Sequence, residues 1–142
     1  MAALVDTNVL VYRYDARDPE KQRRAREVLR RGILEDSVRI SYQSIIEFYA
    51  VVTRSTARLR RLLDPADGAR ETEEILWQFP VFYPNAETIR LGLRGAATYQ
   101  LSWFDALIWA IAEQHAIELL ISEDFEHGRR YGGVTAMNPF LE

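Results

Sequence analysis

Apolar positions in this chain fall into short runs that alternate with longer stretches where they recur every three or four residues, a pattern that predicts strands alternating with helices. Residues 2–5 form an apolar run broken by Asp6-Thr7-Asn8, after which Val9-Leu10-Val11-Tyr12 resumes in a short helix over 8–14. Asp18-Pro19 supplies an N-cap and a proline at the first helical position, predicting a helix to about Arg31 with Ala25, Val28 and Leu29 inside and Gly32 at its end. The alternating stretch 38–42 predicts a second strand, and residues 44–55 a helix with more apolar surface than one core-facing stripe requires. Asp64-Pro65 opens a further helix over 65–79, and Pro80-Val81-Phe82-Tyr83-Pro84 is a strand that its prolines push to an edge. Asn85 and Ser102 cap helices over 86–99 and 103–115. Residues 118–122 predict a buried strand and 134–137 a last short one. Strands separated by helices imply a mainly parallel central sheet covered on both faces, an α/β class three-layer α/β/α domain spanning 1–142. Trp77, Trp103 and Trp109 are expected in its core.

Composition narrows this picture in two respects. The chain has no cysteine, which removes disulfides and thiolate metal sites, and no run approaches the roughly 20 apolar residues of a membrane span. The first apolar run is too short for a signal peptide, so a soluble protein without membrane association is expected, with a cytoplasmic location. Charge is uneven along the chain. Residues 1–61 hold 13 Lys and Arg against 8 Asp and Glu, a balance of +5, whereas residues 62–142 hold 5 against 13, a balance of −8. Lys21 is the single lysine; every other cation is arginine, the better bidentate partner for phosphate. The basic half is therefore a candidate polyanion surface, although solvated helices also collect arginine.

Four acids occupy equivalent places. Asp6 and Asp124 stand just past predicted strand ends, and Glu47 and Asp105 lie in the first turns of predicted helices. In a parallel α/β sheet those places share one edge. Taken singly, each acid has an ordinary explanation. Ser44-Ile45-Ile46-Glu47 and Ser102-Trp103-Phe104-Asp105 both fit a capping box, Asp6-Thr7-Asn8 fits an Asx turn, and Asp124 fits an exposed turn acid. Their joint placement points to more: carboxylates about 5 Å apart repel by roughly 3 kcal/mol per pair at an effective dielectric near 20. A hard divalent cation with oxygen ligands, Mg²⁺ or Mn²⁺, relieves that cost. Ser122 is read as a hydrogen-bond partner of a ligand carboxylate or of the backbone, and His115 and His127 receive no role.

The same residues resemble a known family. Leu4-Val5-Asp6-Thr7-Asn8-Val9-Leu10, Glu47 within Ser44-Ile45-Ile46-Glu47-Phe48, Phe104-Asp105-Ala106-Leu107-Ile108 and Ile121-Ser122-Glu123-Asp124-Phe125 are similar, in order and spacing, to the four acidic motifs of PIN-domain nucleases, most of all the VapC-type toxins of bacterial toxin-antitoxin pairs. Met137-Asn138-Pro139-Phe140 resembles the family's last strand. The resemblance implies a PIN-like, Rossmann-like fold and a Mg²⁺- or Mn²⁺-dependent endoribonuclease, a homodimer held inactive by a cognate VapB-type antitoxin. Carried over by motif, Asp6, Glu47, Asp105 and Asp124 are the metal-binding and catalytic acids, with Thr7, Asn8 and Ser122 as supporting polar groups. Glu123 flanks Asp124, and strand alternation turns it away if Asp124 faces in. Arg13, Arg17, Arg54 and Arg58 are candidates for contact with RNA phosphates. A receiver-type domain needs a lysine at a late strand end, where this chain has none, and a dehalogenase-type phosphatase needs a second aspartate where Asn8 stands. A PIN-like RNA-binding or assembly module without turnover is the alternative from another class.

Overall fold

The computed structural model describes residues 1–141; Glu142, the last residue of the expected domain, lies outside them. At the centre of the sheet, β1 (Ala3–Val5) pairs in parallel with β2 (Val38–Ser41) on one side and β4 (Leu119–Ile121) on the other, Ala3 standing beside Val38 and Leu119. Outward, β3 (Val81–Phe82) adds to β2 and β6 (Val134–Met137) adds to β4, both parallel, and β5 (Arg130–Tyr131) runs antiparallel along β6. The resulting order is β3-β2-β1-β4-β6-β5, with the proline-flanked strand at an edge.

The sheet is buried on both faces, which is why its central strands read as unbroken apolar runs. Ala3 and Val5 point into a core shared with Leu10, Leu29, Phe48 and Ile75, whereas Leu4 points into a second core with Ile108, Trp109, Ile111 and Leu120. The first layer comes from α1 (Thr7–Tyr12), α2 (Pro19–Glu35), α3 (Tyr42–Val52) and α4 (Pro65–Gln78). The second comes from α5 (Ala86–Tyr99) and α6 (Trp103–Gln114). The observed class is thus α/β with three layers, as the alternation predicts.

Four local expectations are corrected. Helix α2 runs through Gly32 to Glu35; a Cβ at Gly32 would drive into the Val38 side chain, so that glycine allows helix and strand to approach and does not end the helix. Asp36, at φ 51° in the left-handed region, ends it. Helix α3 starts at Tyr42 under a Ser41 cap, whose hydroxyl accepts from the Gln43 N–H, so Ser44 is a buried helix residue and no capping box joins it to Glu47. Trp109 is in the core, whereas Trp103 is partly exposed and Trp77 is 86% exposed on α4. Finally, β5 was not anticipated; Gly132, at φ 63°, makes the tight reversal into β6 that two residues of strand cannot signal.

Candidate metal centre

The chain leaves β1 at Asp6 and turns at once into α1, and that turn gives Asp6 two jobs. Its Oδ1 accepts from the Thr7 N–H at 2.7 Å, capping the helix. Its Oδ2 accepts from the Ser122 hydroxyl at 2.7 Å, across the junction where the Asp6 N–H donates to the Ile121 carbonyl. The side chain thus caps α1 through the N–H of the next residue, not through the N–H two residues on that an Asx turn would use, and this cap is compatible with a ligand-like placement. The Asn8 amide nitrogen stands 3.3 Å from Ser122 Oγ and 3.1 Å from Asp124 Oδ2, and the Asp124 N–H donates back to Ser122 Oγ at 3.0 Å. Thr7 faces the other way: its hydroxyl donates to Ser44 Oγ at 3.1 Å and ties α1 to α3.

Asp105 enters from the first turn of α6, where the Ser102 hydroxyl accepts from its N–H. Asp6, Asp105 and Asp124 each offer a carboxylate oxygen, and these atoms all lie within 4.8 Å of one another. Burial grades across the group, from Asp6 at 5% exposure through half-buried Asp105 to exposed Asp124. Burial pushes the Asp6 carboxyl up to about 7; the Ser122 and Thr7 bonds act against this, and the charges of Asp124 and Asp105 add to it. Burial also raises Asp105, again with a contribution from Asp124. The partners given to Asp6 and Asp124 are neutral: a backbone N–H, a hydroxyl and an amide. Oxygen-only donors carrying repulsion that neutral partners do not cancel fit a hard divalent cation.

Glu47 stands apart from these three. It is half-buried on α3, its Oε1 accepts from the Gln43 amide at 2.7 Å, and the same amide donates to the Phe104 carbonyl one residue before Asp105. Gln43 thus links Glu47 to the start of α6, a contact that no sequence spacing announces. Of the four arginines, Arg17 is paired bidentately with Asp15 at 2.8 Å, and Arg13 donates to Gln78 and lies over the Tyr14 ring. Arg54 and Arg58 are exposed in the connector between α3 and α4. Glu123 turns outward to Lys21 and Tyr12, leaving Asp124 to face Asp6. Beside Glu47, an apolar cleft of about 450 Å³ opens between α3, α5 and α6, lined by Tyr42, Ile46, Ile89, Trp103, Phe104 and Leu107 among others.

Solved structures share this arrangement of elements. A toxin-antitoxin complex from Klebsiella pneumoniae matches with a TM-score of 0.69 at 21% identity, covering 97% of this chain and 98% of the other. A DNA-bound VapBC from Salmonella typhimurium matches with a TM-score of 0.71 at 13% identity, covering 98% of each chain. VapC20 of Mycobacterium tuberculosis, a sarcin-ricin loop cleaving toxin, matches with a TM-score of 0.60 at 16% identity over 84% of this chain and 87% of that one. At these identities the likeness is one of fold. None of the curated proteins matches the chain. The PIN domain family model matches residues 3–132, which takes in β1, the acidic edge and helices α1 to α6, and the chain belongs to the PIN domain family.

Proposed function

We propose that this protein is a Mg²⁺- or Mn²⁺-dependent endoribonuclease that acts as the toxin of a VapBC-type toxin-antitoxin pair. The observation that carries the proposal is the meeting of Asp6, Asp105 and Asp124, from three separate elements, around a buried carboxyl raised to about 7. Structural likeness to toxin-antitoxin complexes and to an RNA-cleaving toxin supports the class.

In this proposal Asp6, Asp105 and Asp124 hold the cation through their carboxylate oxygens. When bound, it supplies Lewis-acid activation of a water and of the phosphodiester. Ser122 and Asn8 orient the Asp6 carboxylate through its Oδ2, so that it would meet the cation without a search over rotamers. In the same proposal Glu47, whose Oε1 accepts from the Gln43 amide, is the acid assigned to take the proton released by the attacking water. Arg54 and Arg58, exposed on the connector, are proposed to take RNA phosphates, whereas Arg17 already has a carboxylate partner. The apolar cleft between α3, α5 and α6 is the proposed seat of an amphipathic segment of the antitoxin. A homodimer is part of the same proposal, and sedimentation of the purified chain tests it.

The deciding experiment has two arms. Purified protein is incubated with total RNA in Mg²⁺, Mn²⁺ or EDTA, beside Asp6→Asn, and the protein is induced in cells with and without the product of the neighbouring small gene. Discrete, EDTA-sensitive cleavage lost in Asp6→Asn, with growth arrest relieved by the neighbour, is the expected result. RNA binding with no cleavage in either metal would leave a module without turnover.

A further inference from the structure

The turn that carries Asp124 is held from behind by groups that take no part in the acidic cluster. Glu123 sits between Ser122 and Asp124 and points to the opposite side. Its Oε2 accepts from Lys21 Nζ at 2.8 Å and its Oε1 from the Tyr12 hydroxyl at 2.8 Å, so both oxygens are taken. Lys21 also donates to the Tyr12 oxygen at 3.3 Å and lies 4.8 Å from the centre of the Tyr12 ring and 5.5 Å from that of Phe140. The pair is shielded, with side-chain exposures of 34% for Lys21 and 22% for Glu123. Two successive helices, α1 and α2, thus converge on a carboxylate more than 100 residues away in sequence, just past the end of β4.

We infer that Lys21, Tyr12 and Glu123 form a positioning cluster that anchors the 122–124 turn from outside, so that Asp124 alone of the acids in that turn faces Asp6 and Asp105. The inside of the turn is pinned separately: Ser122 Oγ accepts from the Asp124 N–H, and the Glu123 N–H points to Asn8 Oδ1 at 3.5 Å. With both sides held, the backbone at Asp124 has one setting, and a cation meets a carboxylate already in place. Partners one step removed from the ligands commonly tune metal affinity 10- to 100-fold. Glu123 is also kept from entering the cluster as a further charge. The chain's single lysine therefore acts on the metal centre without touching it. An ordinary ion pair that merely joins α2 to the sheet would stabilise the fold and leave metal affinity alone.

This inference rests on the metal-centre proposal, and the test separates the two. Wild type, Asp6→Asn, Lys21→Met and Tyr12→Phe are titrated calorimetrically with Mn²⁺ alone, and each is melted without metal. Lys21→Met removes the ammonium and keeps an apolar side chain of similar length, Tyr12→Phe keeps the ring, and the metal-free melts show which variants are folded. The expected result is saturable Mn²⁺ binding in wild type, its loss in Asp6→Asn, and affinity about 10-fold weaker in Lys21→Met with a smaller drop in Tyr12→Phe. Wild-type or tighter affinity in folded Lys21→Met and Tyr12→Phe overturns the positioning role while the metal centre stands. No saturable binding in wild type overturns the metal centre and the positioning role with it.

Discussion

The Asn8 amide nitrogen lies 3.1 Å from Asp124 Oδ2, joining residues 116 apart in sequence, and the same nitrogen lies 3.5 Å from Asp6 Oδ2. One neutral donor thus stands between two carboxylates. Asn8→Ala removes that brace and leaves the acids in place, so Mn²⁺ affinity should fall about 10-fold while folding stability changes by only about 1 kcal/mol. Calorimetric titration and urea unfolding measure the two effects; undiminished affinity would show that the amide orients nothing.

The Asp6 carboxyl gives metal-free protein an unusual pH dependence. Its value rises from 3.8 to about 7 on folding, so between these limits the folded state binds the proton that the unfolded state has released. The Asp6 contribution therefore lowers stability as pH rises from about 4 to about 7, by on the order of 4 kcal/mol once complete. Asp6→Asn has no such proton to bind or release. In EDTA its stability relative to wild type should be higher at pH 8 than at pH 4.5, and denaturant midpoints at the two pH values check the sign.

Glu47 and the three aspartates should separate by function. Because Glu47 is bonded to Gln43 and lies outside the group whose oxygens fall within 4.8 Å, Glu47→Gln should retain Mn²⁺ binding within about 3-fold, whereas Asp105→Asn should weaken it by more than about 10-fold. RNA cleavage should fall in both. Equal loss of metal in the two variants would place Glu47 among the ligands.

Packing between α5 and α6 is tight at Gly95. A Cβ at Gly95 would run into the ring of buried Trp109, whose indole N–H is held by the Tyr131 carbonyl at 2.9 Å and so cannot easily yield. Gly95→Ala should cost about 1–3 kcal/mol despite its gain in helix propensity, read as a lowered urea midpoint.

Much of this protein is determined by local sequence. Alternation of apolar runs with 3.6-residue periodicity sets the strands and helices, because burial of both sheet faces demands it of Leu4 and Val5 alike. The caps at Asp18, Asp64, Asn85 and Ser102 act within three residues, and each is used as the sequence predicts. Parallel connectivity then brings Asp6, Asp105 and Asp124 to one edge. Tertiary structure decided what local rules cannot reach. Gly32 reads as a stop until Val38 is packed against it, and Ser44 reads as a cap until Ser41 takes the turn and Thr7 takes Ser44. Trp77 reads as core on hydrophobicity alone, yet the α4 stripe buries Ile75 and leaves the indole outside. Glu47 and Glu123 are acids beside the site whose orientations depend on Gln43 and Lys21, partners that spacing in one sequence does not reveal. Charge and periodicity are local properties, whereas the direction of a side chain at a crowded edge is set by which distant group reaches it first.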